Sequence, residues 1–380
     1  MVAAGSVVSC GSDLSPEYGT PVRESIRSDE SRLGFPDFRG KPDHGNAPVS
    51  ELGWSLPPNI RAASPLTPAA HTIRATMISP LSAVADSNTS RPRFSVIVPV
   101  LNGARWLPDT LAAIESQTFP AEATEVLFID NGSTDDSVEI LSRHPRVRVF
   151  HEPRHDPYLA RNRGIEAAGG EYLVFLDADC PPHVDWLAEF DQSINQAPAD
   201  VLVGTLLHPA KSPLMLKCYE AYYNTKIAWL FAHGRTANFF GHAGNMVIRC
   251  DIFTDIGLFE AMPIVGDTEI IHRLLHSRAD AVVRFVPRAR VVHAEVDSVG
   301  ALMAKLYAIG IYTQNLVPRG GYRPVSLQDK VCIAANSIRS LPLGLLGVFP
   351  LVTVLGCGWA VYLSGRLTAT LNALTARRDA

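Results

Sequence analysis

Regular structure is first indicated at Phe94-Ser-Val-Ile-Val-Pro-Val100, a β-branched run that closes at Asn102-Gly103. A short apolar run bounded by a turn predicts a buried strand. Similar runs occupy 125–130, 147–151 and 172–177, and helical patterns separate them. Strands that alternate with helices predict an α/β domain with an open, mostly parallel, Rossmann-like sheet and helices on both faces.

Helices between these strands are predicted over 104–117, over 159–168 and over a segment through Leu141, which Ser133 and Asp136 open as a capping box. The second half of the chain is less regular. It predicts helices over 183–195, 212–231, 268–276 and 300–316, and strands over 201–206, 245–248, 282–285 and 290–293.

Polar residues follow three of the predicted strands at their carboxyl ends, where open α/β sheets bind ligands. These residues are Asn102, Asp130 and Asp177. Asp130 precedes Asn131-Gly132-Ser133, so its carboxylate either accepts hydrogen bonds from a nucleobase or ribose or serves the turn itself. The residues alone leave both interpretations open.

The triplet Asp177-Ala178-Asp179 ends an apolar strand. Carboxylates two positions apart on an extended segment lie on one face. They suit Mg²⁺ or Mn²⁺ with phosphate oxygens completing the shell, and such a cation offsets charge on a diphosphate leaving group. A solvated turn is the alternative, which the apolar strand disfavours.

Three further residues are candidates. Arg161, at a predicted helix start, offers a planar fork to a phosphate, unless it lies on a solvated helix face. Asp267, in Ile264-Val-Gly-Asp-Thr-Glu-Ile270, is either a general base or a helix N-cap, with Glu269 as its rival. His293, at a strand end, is a possible metal or phosphate contact, although a structural role is the commoner one.

Composition narrows the classes of protein. The net charge of −4 and pI of about 6.3 give no sign of a nucleic-acid binder. Six scattered cysteines indicate neither a zinc site nor a disulfide framework and fit a reducing compartment. The region 1–93, rich in Ser, Pro and Gly, is predicted to be disordered, and its first residues lack a signal-peptide pattern. The alternative is that translation begins at Met77, in which case most of this region is not part of the protein.

The tail carries an uncharged stretch, 341–363, long enough to cross a bilayer core as a helix. Its prolines and glycines are tolerated in membrane helices. A buried core helix and an interfacial hairpin are the alternatives. Arginines on both sides leave its orientation undetermined.

These motifs together resemble an inverting glycosyltransferase of family 2 with the GT-A fold, over 94–293. The resemblance is closest at Ala160-Arg-Asn-Arg-Gly164 and Gly170-Glu-Tyr-Leu-Val-Phe-Leu-Asp-Ala-Asp179. It also includes the opening strand to Asn102, the turn Ile129-Asp-Asn-Gly-Ser-Thr-Asp135, and Gly244-Asn-Met-Val-Ile-Arg249 with Ile256-Gly-Leu-Phe-Glu260. Gly266-Asp267 stands where the family has Glu-Asp.

The resemblance implies a role for each candidate. Asp267 would be the general base. Asp177 and Asp179 would hold the metal, with Asp179 the closer ligand and His293 beside the diphosphate. Pro99, Asn102 and Asp130 would line the nucleotide pocket, with Arg161 near it. A Gln-x-x-Arg-Trp motif of processive synthases is not found, so single-sugar transfer is expected.

The expected protein therefore has a disordered region (1–93), a catalytic domain (94–320) and a C-terminal region (321–380) with a membrane helix at about 341–363. It would be a membrane protein with a cytoplasmic catalytic domain, acting in cell envelope polysaccharide biosynthesis. Its donor would be a nucleotide-diphosphate sugar and its acceptor a glycan or lipid-linked hydroxyl. The alternatives are a polyprenyl-phosphate sugar transferase and a non-catalytic membrane protein that retains the fold.

Overall fold

The structure is a computed structural model that describes residues 91–313, 322–323 and 325–378, with the side chains from 376 onward excepted. Nearly all of the predicted disordered region, 1–93, lies outside the described residues. Its last three residues are held in place: Arg91 donates to the carbonyl oxygens of Gly169 and Gly170, and Arg93 pairs with Glu171 and Asp191. The folded part of the chain therefore includes Arg91.

The described residues form a seven-stranded sheet in the order β3-β2-β1-β4-β6-β5-β7. Every neighbouring pair is parallel except those of β6, which runs antiparallel to both β4 and β5. The predicted open, mostly parallel sheet is confirmed. The strands are β1 (Phe94–Val100), β2 (Thr124–Asp130), β3 (Val147–His151), β4 (Tyr172–Leu176), β5 (Val201–Leu207), β6 (Asn245–Arg249) and β7 (Val283–Val292).

Helices cover both faces of the sheet. In β1, Ile97 packs with residues of α3 and α7, whereas Val96 and Val98 pack with residues of α1 and α4. This alternation follows from the period of two in a strand. The helices are α1 (Leu107–Glu115), α2 (Ser137–Ser142), α3 (Pro157–Ala167), α4 (Trp186–Gln196), α5 (Leu214–Ala232), α6 (Ile252–Ile256), α7 (Gly266–Ser277), α8 (Val299–Thr313), α9 (Leu327–Ser337) and α10 (Val348–Arg378).

Two local predictions were wrong. The predicted strands 282–285 and 290–293 are one strand, β7, whose pairing with β5 shifts register between Val203 and Thr205. Pro287 interrupts the sequence pattern there, because it lacks the N–H that a regular ladder needs. The predicted capping box is absent from the described α2, which begins at Ser137 with the Asp135 carboxylate accepting from the Ser137 N–H.

The apolar tail is helical over a different range from the predicted 341–363. Short 3-10 turns occupy its first residues, and α10 then runs from Val348 to Arg378. Pro350 falls in the first turn, where its missing N–H costs no helical hydrogen bond. The span Gly344–Thr375 is long and apolar enough to cross a membrane, with mean hydropathy 1.9 and 22% of its most apolar window buried.

Candidate active site

Hydrogen bonds that involve side chains connect the segments that follow β1 and β2. Asn102 adopts a left-handed conformation (φ 52°), accepts a hydrogen bond from Thr134 N–H at 2.8 Å and donates its own N–H to Ser133 Oγ at 3.0 Å. A Cβ added at Gly103 would stand 3.6 Å from the Cβ of Ala178. The carboxyl ends of β1, β2 and β4 therefore meet at one edge, as the sequence predicted.

Asp130 is buried at this edge and accepts hydrogen bonds from Ser133 N–H and His151 Nδ1, both at 2.9 Å. Burial raises the pKa of Asp130, but the hydrogen bonds from Ser133 and His151 outweigh it and leave the pKa below its usual value. Asp130 is therefore an ionised acceptor. Pro99 lies within β1, beyond the last residue that pairs with β4, so its missing N–H leaves no gap in the ladder.

Arg161 lies inside the protein rather than on a solvated helix face. It is 5% exposed, forms an ion pair with Asp177, and its guanidinium lies 4.9 Å from the ring centroid of Tyr158. The charge of Arg161 is thus directed at the first carboxylate of the Asp177-Ala-Asp179 motif. A buried guanidinium needs such a partner because an isolated charge is costly to bury.

Asp179 contacts residues that follow the carboxyl end of β7. Its Oδ2 lies 3.3 Å from His293 Nε2 and accepts a hydrogen bond from Glu295 N–H at 3.2 Å. The thiol of Cys180 joins them, since ligand atoms of Asp179, Cys180 and His293 lie within 4.8 Å of one another. Asp177 is not in this group, because its carboxylate turns to Arg161. The structure thus brings together Asp179 and His293 from the predicted metal set.

The electrostatics of this group favour a cation. Burial, and next the neighbouring Asp177, raise the pKa of Asp179 to about 7. Burial lowers the pKa of His293 well below its usual value, which keeps the imidazole neutral, the form that binds metals. Burial also raises the pKa of the Cys180 thiol. One carboxylate and one neutral imidazole therefore fit a divalent cation whose other ligands are oxygens.

Asp267 is the second residue of α7. Its Oδ2 accepts from Ala243 N–H at 3.0 Å, and its Oδ1 accepts from Thr268 N–H at 2.7 Å. Burial raises the pKa of Asp267, against the opposing effect of these backbone hydrogen bonds. The rival carboxylate, Glu269, forms a buried ion pair with Arg273 at 2.9 Å.

Sterics explain why a glycine precedes Asp267. A Cβ added at Gly266 would lie 2.8 Å from the ring of Tyr158, and Tyr158 also accepts a hydrogen bond from Asp267 N–H at 3.3 Å. A larger side chain at this position would displace the ring. Tyr158 was not singled out in the sequence, because nothing local relates it to a residue 109 positions away.

The segment before β6 completes the site; the resemblance included Gly244, whereas His242 was not among the candidates. A Cβ added at Gly244 would lie 2.9 Å from Asp177 Oδ2. His242 is 8% exposed, and among the described residues neither of its ring nitrogens has a hydrogen-bond partner. Burial lowers the pKa of His242 to about 3, so the imidazole is neutral. The small residues around His242 were the sequence signal for a tightly packed segment.

Residues 95–257 match the family model described as glycosyl transferase family 2. The glycosyltransferase AglE of Haloferax volcanii is 31% identical over 182 residues, which are 46% of this chain and 58% of that protein. The glycosyltransferase GlyG of Streptococcus pneumoniae is 34% identical over 115 residues, which are 29% of this chain and 38% of GlyG. The chain thus spans less than two thirds of the length of either relative.

Among solved structures, the mannosyltransferase PcManGT from Pyrobaculum calidifontis, in complex with GDP-Man and Mn²⁺, is 19% identical with a TM-score of 0.49. The match covers 76% of this chain and 81% of that one.

Proposed function

Because residues 95–257 match the family model of glycosyl transferase family 2, we propose that the protein transfers one sugar from a nucleotide-diphosphate sugar to a hydroxyl acceptor, with inversion. The observation that carries the proposal is the convergence of Asp177, Asp179, Asp267 and His293 on one edge of the sheet. These residues come from three places in the chain: the end of β4, the start of α7 and the end of β7. Acceptor activation and leaving-group stabilisation are the two tasks such a transfer requires.

The nucleotide would occupy the end of the sheet formed by β1 and β2. Asp130 is ionised and can accept hydrogen bonds from ribose or base, while Asn102 and Pro99 shape the wall. Arg161 supports this region indirectly, since its charge is held by Asp177. We therefore assign Arg161 the role of positioning Asp177 rather than of binding phosphate.

Asp179 and His293 would hold a divalent cation, Mg²⁺ or Mn²⁺. Asp177, two residues before Asp179, is paired with Arg161. When bound, the cation supplies charge stabilisation for the departing nucleoside diphosphate. The two residues are held in position by the protein: Asp179 accepts from Glu295 N–H, and its own carbonyl accepts from Ala294 N–H.

Asp267 would take the proton of the acceptor hydroxyl. Its raised pKa makes it a stronger base than an exposed aspartate, and its two backbone hydrogen bonds fix the carboxylate. A single displacement at the anomeric carbon inverts its configuration. The acceptor would be a glycan or lipid-linked hydroxyl.

We also propose that 94–320 is the catalytic domain and that 321–380 attaches it to a membrane through α10, with the catalytic domain on the cytoplasmic side. Most of the apolar surface of α10 is not covered by the described protein. The five described cysteines are free, which agrees with a reducing compartment.

The test is release of nucleoside diphosphate from a panel of sugar donors, with and without acceptor extracts. We expect acceptor-dependent release that EDTA abolishes and Mg²⁺ or Mn²⁺ restores. Asp179→Ala should remove metal-dependent nucleotide binding. Full activity in the EDTA-stripped protein would contradict the metal assignment, and no release from any donor would contradict the transferase assignment.

A further inference from the structure

Lys305, a cation on α8, faces the predicted metal site. Helix α8 runs from Val299 to Thr313, and Lys305 is its one charged residue. The Nζ of Lys305 lies 3.0 Å from His293 Nε2 and is partly buried. A charge in an apolar helix needs a partner, so the direction in which it points is informative.

The charge of Lys305 acts on the whole group of site residues. It opposes the rise in the pKa of Asp179 and of Cys180, and it contributes to the lowered pKa of His293 and of His242. The ammonium therefore lies close to the residues that would hold the cation.

The positive charge of Arg161 alone does not balance the negative charge of the site. Asp177 lies close enough to both Asp179 and Asp267 to contribute to their raised pKa values, and Arg161 is occupied by Asp177. A nucleoside diphosphate brings further negative charge to the same edge. A second protein cation next to Asp179 reduces the repulsion that the diphosphate would meet.

His293 Nε2 has one lone pair in the neutral imidazole. It accepts the Lys305 hydrogen bond in this structure, but a cation held by His293 would use the same lone pair. Lys305 would then need another acceptor within reach, and a phosphate oxygen is a strong acceptor for an ammonium.

We propose that Lys305 is a diphosphate-binding residue of the donor site, which takes up a phosphate oxygen when His293 binds the cation. The inference rests on the proposed transferase function and adds a residue from α8 to the donor site.

The packing of α8 against α10 positions Lys305. A Cβ added at Gly358 would lie 2.8 Å from Leu306 Cδ1, and one added at Gly365 would lie 3.2 Å from Ile311 N. A Cβ at Gly310 of α8 would lie 3.1 Å from the carbonyl carbon of Tyr362. The two helices thus approach closely from Leu306 to Ile311, directly after Lys305, so the ammonium is presented by a helix that is packed against α10.

The test compares Lys305→Met and Lys305→Arg with wild type, using the full-length protein in detergent. Isothermal titration with UDP and GDP, then with UMP, GMP, uridine and guanosine, all with MnCl₂, separates phosphate contacts from base contacts. Lys330→Met is the matched control, because Lys330 is an exposed lysine on α9.

We expect Lys305→Met to weaken binding of the preferred nucleoside diphosphate by about tenfold or more, which is the scale of one charged hydrogen bond. Nucleoside binding should be unchanged, Lys305→Arg should restore most of the affinity, and Lys330→Met should bind as wild type does. If Lys305→Met unfolds, Lys305→Gln takes its place.

Two results would overturn the inference. In the first, Lys305→Met binds the diphosphate as tightly as wild type does, and wild type binds and transfers normally. Lys305 is then not a diphosphate-binding residue, but the proposed transferase function is unaffected. Equal losses for diphosphate and nucleoside would show a structural role only. Wild type that binds no nucleoside diphosphate would refute the proposed function as well.

Discussion

Asp267 is the residue on which the proposed chemistry depends most. Its carboxylate receives two backbone hydrogen bonds, and its neighbour Gly266 leaves room for the Tyr158 ring. The glutamate expected by resemblance before Asp267 has no space in this fold. The Tyr158 ring that excludes it also lies against the Arg161 guanidinium, so the glycine at position 266 has its cause elsewhere in the chain.

We expect Asp267→Asn to reduce the transfer rate by about 10²-fold or more, because general-base catalysis contributes about 10²–10⁴-fold. Donor affinity should be nearly unchanged, since the role proposed for Asp267 concerns the acceptor hydroxyl. Steady-state rates and nucleotide binding measure the two effects separately.

Glu269→Gln is the control for this prediction. It removes the ion pair with Arg273, so it should lower the melting temperature more than the rate at saturating substrate. A near wild-type rate for Asp267→Asn, or a greater loss of rate for Glu269→Gln, would contradict the assignment of the base.

His242 gives a prediction for the pH dependence of stability. Its folded pKa of about 3 lies below the ordinary histidine value of 6.5. Between these values the unfolded chain binds a proton that the folded chain does not, so the free energy of unfolding falls as the pH falls. The contribution of this one residue approaches about 1.4 kcal/mol per pH unit.

His242→Phe should therefore lose less stability than wild type when the pH is lowered from 7 to 5, as measured by chemical denaturation at each pH. Phenylalanine retains the ring and removes the two unpartnered nitrogens. Equal losses in the two proteins would show that His242 does not stay neutral in the folded state.

At the scale of elements, the contact between α8 and α10 links the apolar tail to Lys305. Gly365 faces α8, where an added Cβ would lie 3.2 Å from Ile311 N. Gly356 lies on the same helix, α10, and an added Cβ there would meet nothing within 4 Å. The two glycines form a matched pair with opposite surroundings.

Gly365→Leu should push α10 away from α8, lower stability by about 1–3 kcal/mol through overpacking, and weaken nucleoside diphosphate binding through Lys305. Gly356→Leu should be neutral or slightly stabilising, because leucine is the better helix former. Thermal unfolding and nucleotide titration test both. Similar behaviour of the two variants would contradict the close packing of α8 on α10.

At the scale of the whole molecule, α10 has two faces with different partners. Leu351 and Val354 are buried with Leu216 of α5 and Met303 of α8. Other apolar residues of α10 face outward, among them Phe349, which is 79% exposed, Val352 and Trp359. The helix is therefore both a part of the fold and a large exposed apolar surface, which in a protein marks an interaction site.

We expect the full-length chain to sediment with membranes and to resist carbonate extraction. Replacing Phe349, Val352 and Trp359 together by glutamine should shift it toward the soluble fraction without unfolding it, because these side chains contact little protein. Leu327 and Val331, exposed on α9, provide a control double replacement. Wild type that stays soluble without detergent would refute membrane attachment.

Removing the tail altogether is a different experiment. A chain ending at 328 would lose the α10 residues that cover α5 and α8, so it would expose the buried cluster around Leu216 and Met303. An uncharged stretch considered alone would suggest that such a truncation makes the chain more soluble, because it shows no sign of its partners. The structure instead predicts that truncation lowers stability and disturbs the support of Lys305.

The sequence by itself determined the strand–helix alternation, the parallel sheet and the edge at which Asn102, Asp130, Asp177 and Asp179 stand. These follow from local patterns with periods of two and 3.6 residues, and from the rule that parallel strands end at a common edge. The continuity of β7 through Pro287 and the start of α2 were missed, because the strand pairing and side-chain capping that decide them are not visible in a local pattern.

Only the tertiary structure decided which side chains meet. Tyr158 contacts Asp267 across 109 positions, and Asp179 contacts Glu295 across 116. The same holds for Lys305 beside His293, on a helix whose pattern indicates only an apolar element. Contacts of this kind depend on packing between elements, and a periodicity of a few residues carries no information about the element that will lie opposite.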